Sequence, residues 1–184
     1  MRVARAAPIV ALLAGLLVGA CGGDGPPEPT PGAVILDGRD DGFLLVLRVA
    51  ADVVDGGDPI DIDASLTWQG PAPRATVWGS GSGVVSFVLA QLDGDLSVGG
   101  AMTADCASHE FERLVPVEIP FTKSGGFSAD DPHADFYRAF YADPVLRLPA
   151  GRWRLTATTV GYLQPCEMNA PTLDISLQSE ILVR

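Results

Sequence analysis

Residues 60–68 read Ile-Asp-Ile-Asp-Ala-Ser-Leu-Thr-Trp, and this stretch decides the fold class. Ile60, Ile62, Ala64, Leu66 and Trp68 alternate with Asp61, Asp63, Ser65 and Thr67. Successive side chains of a strand point to opposite faces, so the pattern is a strand with one buried and one wet face. The same period of two recurs twice. Trp153, Leu155, Ala157 and Thr159 alternate with Arg152, Arg154, Thr156 and Thr158. Leu173, Ile175, Leu177, Ile181 and Val183 alternate with Asp174, Ser176, Gln178 and Glu180. Phe43 to Ala51 and Val84 to Leu92 are more continuously apolar and read as central strands. Shorter strands are expected at 75–78, 113–119 and 145–148. Gly- or Pro-rich breaks fall at 56–59, 69–73, 79–83, 93–100, 122–126 and 149–151. Many strands at short spacing predict a mainly β chain folded as an antiparallel β-sandwich. No strand–helix alternation suggests a parallel nucleotide-binding sheet.

One segment departs from this rhythm. Asp131-Pro132 opens a short helix, with Asp as cap and Pro in the first turn. Phe136 and Phe140 lie four apart, as do Tyr137 and Tyr141, and Asp143-Pro144 ends the segment. A helix over 132–142 is expected to cross one end of the sandwich, its aromatics closing the core edge. The alternative is a ligand-facing patch carried by Tyr137 and Tyr141. The segment Leu148-Pro149-Ala150-Gly151-Arg152-Trp153 resembles an entry turn of immunoglobulin-like and prealbumin-like bacterial surface domains. That resemblance spans some ten residues and implies an immunoglobulin-like sandwich with one short helix.

The chain has 184 residues, 47% of them apolar and 19% charged, which suits one packed domain. It holds 12 basic and 23 acidic residues, net −11. Without Arg2 and Arg5, which fall in a segment expected to be removed, the count is 10 minus 23, or −13. Nucleic-acid binding needs basic residues to neutralise phosphate, so this balance excludes it. Divalent cations and basic partners fit it better. Lys123 is the one lysine beside eleven arginines, a bias of genomic base composition.

The N-terminus reads as an address. Arg2 and Arg5 precede an apolar run from Ile9 to Val18, too short to span a bilayer. Val18-Gly19-Ala20-Cys21 resembles the lipobox of bacterial lipoproteins. The resemblance implies a signal peptide at 1–20, removed before Cys21, and acyl chains on Cys21 that anchor the protein to the membrane of the cell envelope. Each buried CH₂ of such chains contributes about 0.8 kcal/mol. Gly22, in place of Asp after the cysteine, implies the outer membrane in a Gram-negative cell. Residues 21–33 form the lipidated Cys and a Gly/Pro-rich tether. Residues 34–184 form the sandwich domain.

With Cys21 committed to lipid, Cys106 and Cys166 remain, and an even pair in an exported chain reads as a disulfide. Neither sits in a C-x-x-C spacing, so redox catalysis has no support.

The chemistry-bearing residues are sparse. His109 and His133 are the only histidines. His109 follows Cys106 in Cys-Ala-Ser-His, too few ligands for zinc. His133 lies among Asp130, Asp131 and Asp135, which a helix N-terminus also explains. Calcium is the more serious cation. Its candidate ligands are Asp52, Asp55, Asp58 and Asp61, with Asp63, in a Gly-containing stretch, and Asp37, Asp40 and Asp41 form a second acidic group. Neither group matches the EF-hand template, and a solvated acidic loop set is the plainer expectation. GSGSG at 79–83 matches neither a phosphate loop nor a nucleophile elbow and reads as a hairpin turn. Trp68 and Trp153 fall on apolar faces, whereas Trp78 is in phase with Arg74 and Thr76 and is the candidate glycan contact. The expectation is a non-enzymatic binding or structural module at the envelope, with a protein partner there and no cofactor. A loop-built hydrolase and a calcium-dependent or glycan-binding module are the alternatives.

Overall fold

The computed structural model describes residues 32–166 and 170–184. Cys21, the signal segment and most of the tether lie outside the described residues. The chain runs β1 (Val34–Asp40), β2 (Phe43–Val49), β3 (Val53–Val54), β4 (Ile62–Trp68), β5 (Arg74–Gly79), β6 (Val85–Gln91) and β7 (Ser97–Gly99). It continues through β8 (Ala107–Glu112), β9 (Pro116–Pro120), α1 (Ala134–Ala142), β10 (Gly151–Thr159), β11 (Gly161–Tyr162), β12 (Thr172–Leu173) and β13 (Ser176–Val183). The fold is a mainly β, largely antiparallel sandwich with one short helix.

One layer is the sheet β1-β2-β4-β9. Asp41 and Gly42 have φ of 42° and 81°, the left-handed pair that closes a two-residue hairpin with the twist of its strands. All seven residues of β1 therefore pair with β2, from Asp40↔Phe43 to Val34↔Val49. Two further sheets, β3-β13-β10-β6-β7 and β12-β11-β5-β8, complete the fold, and β13 of the first of these lies across from β1. Only Val160 separates β10 from β11, so the chain passes between these two sheets without a turn. Every pairing between named strands is antiparallel except that of β3 with β13.

The period of two dictates what is inside. Phe43, Leu45, Leu47 and Val49 of β2 join Trp153, Leu155 and Ala157 of β10 in one core that also takes Leu66, Leu89 and Ile181. Trp153 is fully buried, and its Nε1 donates to the Pro149 carbonyl at 3.0 Å. An indole needs such a partner once it leaves water. The layers meet closely at Gly38, where a Cβ would press on Ile175 and Leu177 of the facing layer.

Four expectations are corrected. Residues 145–148 form no strand. Pro144 and Pro149 bracket the segment, and it bonds to the sandwich through Ile60 N–H donating to the Leu146 carbonyl, while Leu146 and Leu148 still fill the core. The strand expected at 113–119 starts later, at Pro116, because Leu114 (φ 63°) turns the chain between β8 and β9. The 79–83 segment is a tight turn, closed by the Gly83 N–H donating to the Ser80 carbonyl at 3.0 Å, but it joins no β5–β6 hairpin, since these strands belong to different sheets. The helix starts at Ala134 rather than 132. Asp131 accepts from the His133 N–H at 2.7 Å and so caps the turn before it.

Candidate functional site

Two places gather polar side chains. The first is the disulfide corner. Cys106 precedes β8 and Cys166 follows β11, and they are bonded to each other with 6.0 Å between their Cα atoms. Beside them the 79–83 loop folds onto Thr103 and Asp105. Ser80 Oγ bonds Thr103 Oγ1 at 2.8 Å and Ser82 Oγ at 3.1 Å, and the Gly81 N–H donates to Asp105 at 2.8 Å. The Thr103 hydroxyl also donates to Asp105, and these bonds hold the Asp105 carboxyl below its usual range, the hydroxyl contributing most. A cleft of about 500 Å³ opens here, lined by Ser80, Thr103, Asp105, Tyr162 and the two cysteines.

His109 lies in this corner, yet its geometry is not that of a base. Its Nε2 is 2.8 Å from the Ser80 carbonyl oxygen. A carbonyl only accepts, so Nε2 carries a proton and donates. The Ser80 hydroxyl bonds Thr103 and Ser82 and not the His109 ring, whereas nucleophilic catalysis would require a base within reach. The bond ties β8 to the loop between β5 and β6. Trp78 is half-buried in β5, in register with Tyr162 on one side and Ser108 on the other. Residues in register share a face, so Trp78 and Tyr162 lie on one side of this sheet.

The second place is the cleft of about 630 Å³ at the end of α1, between the lead-in to β4 and the segment after β9. Asp61, Asp63, Lys123, Tyr141 and Asp143 line it. Lys123 Nζ donates to the carbonyls of Phe140 (2.6 Å) and Asp143 (2.7 Å) and lies 4.1 Å from the centroid of the Phe140 ring. These are the unpaired carbonyls at the end of a helix, where a cation is favoured. Burial pushes the Lys123 ammonium down from its ordinary value; Asp143 pulls it back and Arg147 lowers it further. Asp143 is held low by the Val145 N–H and then by Arg147, which it meets at 2.7 Å. Lys123 is thus an internal helix cap, and the sequence signal for it is a lone lysine twenty residues before a helix end.

The helix aromatics are largely engaged by the domain itself. Tyr137 is buried. The Tyr141 hydroxyl donates to the Ser124 carbonyl at 3.2 Å, and burial, followed by the neighbouring Tyr137, raises its pKa. Phe127 stacks on both rings, at 5.8 Å from Tyr137 and 6.3 Å from Tyr141. The His133 imidazole reaches Asp95, at 3.0 Å, while its backbone N–H goes to Asp131.

Of the calcium candidates, Asp61 and Asp63 reach the cleft at the end of α1, and Asp52, Asp55 and Asp58 do not line it. Among the described residues no three His, Cys, Asp or Glu side chains are grouped to hold a metal ion. In the second acidic group, Asp37 is on β1, Asp41 is in the hairpin turn, and Asp40 accepts from the Asp174 N–H at 2.8 Å. Among the described residues no helix is long and apolar enough to cross a membrane. Comparison with family models, curated proteins and solved structures gave no significant match.

Proposed function

We propose that this protein is a lipid-anchored bacterial envelope protein whose sandwich domain serves as a non-enzymatic binding or structural module. The observation that carries the reading is how the three cysteines divide. Cys106 and Cys166 are bonded to each other within the domain, which leaves Cys21 alone in its Val-Gly-Ala-Cys setting. A structural disulfide suits an oxidising compartment outside the cytoplasm, where a lipobox cysteine would also take the protein. The non-enzymatic part draws support from the two polar sites. His109 is spent on a carbonyl and Lys123 on two more. Partners would then be met through sheet edges and loops, and the partner in the envelope is a protein.

The test is the intact mass of the protein extracted from its native membranes, with and without reductant. A mass for residues 21–184 plus acyl chains, gaining two hydrogens on reduction, is the expected result. A chain that starts elsewhere, or bears no lipid, overturns the anchor. A folded and lipidated protein that loses all activity in an enzymatic screen on replacing His109 or His133 alone would overturn the non-enzymatic reading.

A further inference from the structure

We propose that β1 is a self-association edge, on which a second copy of this chain adds its own β1 antiparallel to extend the β1-β2-β4-β9 sheet across a two-fold axis. The inference stands on the described domain alone and holds or fails independently of the lipid anchor.

The free edge follows from the hairpin. In a two-residue turn the flanking pair, Asp40 and Phe43, exchanges hydrogen bonds. Alternation then aims the backbone of Gly38, Leu36 and Val34 at β2, and that of Ile35, Asp37 and Arg39 away from it. Among the described residues β1 pairs with no other strand. Side chains 35, 37 and 39 are all exposed, Ile35 by 49%. An uninterrupted seven-residue edge without proline is a template for another strand.

Other edges are blunted. β9 begins and ends in proline, which cannot donate. β3, β7 and β12 have two or three residues. β8 exposes Glu110 and Glu112 and carries no lysine or arginine, so a second copy would meet like charge.

Charge selects the register. Outward-facing residues must pair with outward-facing residues for the bonds to form. Centring the pair on Asp37 sets carboxylate against carboxylate, and centring it on Arg39 sets guanidinium against guanidinium. Centring it on Gly38 sets each Asp37 opposite the Arg39 of the other copy, twice, with both N–H···O=C bonds exchanged at each pair. Arg39 now donates to Gln69, an exposed neutral contact that a carboxylate would outcompete. The net charge of −11 repels two copies, but at physiological salt charges beyond about 8 Å are screened, so these local pairs decide. A strand edge is a small interface, and the dimer is expected to be weak and concentration-dependent.

Sedimentation equilibrium of the full chain over a wide concentration range tests this. The wild type is expected to show a monomer–dimer equilibrium. Asp37→Arg or Arg39→Asp alone should raise the dissociation constant about tenfold or more, since each makes two like-charge pairs, and the double swap should restore it. Asp37→Pro removes only an outward N–H and should abolish the dimer with the circular dichroism spectrum unchanged. Register is read separately. Asp37→Cys mixed with Arg39→Cys should crosslink under mild oxidation far faster than either variant alone, because a hydrogen-bonded pair holds its Cα atoms about 5.5 Å apart. A wild type that stays monomeric throughout, a dimer indifferent to these swaps, or crosslinking no faster in the mixture than in the single variants overturns the proposal.

Discussion

Replacing Lys123 by Met tests the helix cap. Met keeps the stem and removes the ammonium. The lost interactions are the bonds to the Phe140 and Asp143 carbonyls and the contact with the Phe140 ring. A hydrogen bond to a charged group contributes about 1.5–3 kcal/mol and an exposed to half-buried cation–π contact about 0.5–2 kcal/mol. Desolvation offsets much of this, since burial lowers the Lys123 pKa despite the pull of Asp143. A net loss of about 2 kcal/mol remains, which lowers Tm by about 4–8 °C in a chain of this size. Calorimetry of the full chain at pH 7 reads it. The pH dependence gives a second check. The folded pKa lies below the ordinary 10.5, so between the two values the unfolded chain holds the proton that the folded chain has released. Wild-type stability therefore gains with pH in that window, and the gap between wild type and Lys123→Met widens there. Tyr141 also titrates at high pH, but both proteins share it, so it drops out of the difference. A Tm within about 1 °C of wild type at pH 7 refutes the capping role, and a gap that narrows as pH rises toward 10.5 refutes the downward shift of Lys123.

Three further outcomes are expected. Replacing Cys106 and Cys166 together by Ser reopens a loop with a sequence separation of 60, and chain entropy sets the loss at about 4 kcal/mol; a urea-denaturation change under about 1 kcal/mol would argue that the bridge adds nothing. Gly42→Ala places a Cβ at φ 81° and 2.7 Å from the Trp68 ring, so it should cost about 1–3 kcal/mol, and an unchanged urea midpoint would contradict it. Asp95 has its carboxyl lowered chiefly by the hydrogen bond from His133. His133→Gln should let its pKa climb back toward 3.8, followed by carboxyl NMR, and no movement would show that the pair does not form in solution. The stabilisation tied to that lowering is present above pH 3.8 and is lost as pH falls through the folded value.

The strands legible in the sequence are those whose alternation outlasts a few residues. The 152–159 pattern became β10, the 173–183 pattern divides between β12, which holds Leu173, and β13 in another sheet, and Phe43–Ala51 and Val84–Leu92 became β2 and β6 with ends trimmed by one or two residues. β1 was missed because Asp37, Asp40 and Asp41 drew attention as loop carboxylates, although Asp41-Gly42 is itself a hairpin signal. β8 was missed because Ala-Ser-His-Glu-Phe-Glu offers one large apolar side chain, and its pairing with β5 supplies what propensity does not. The cysteine pair was legible by parity. The two clefts were not, since each draws its lining from segments far apart in sequence that only the finished topology brings together.

The position of β13 has a temporal consequence. It lies between β3 and β10, and its Leu177, Ile181 and Val183 are core residues. Until residue 183 is free, β10 has one bare flank and the core stays open to water. A nascent chain cannot close this sandwich before β13 has emerged. Closure waits on β13, and in that interval β10 offers its unpaired flank to any strand nearby.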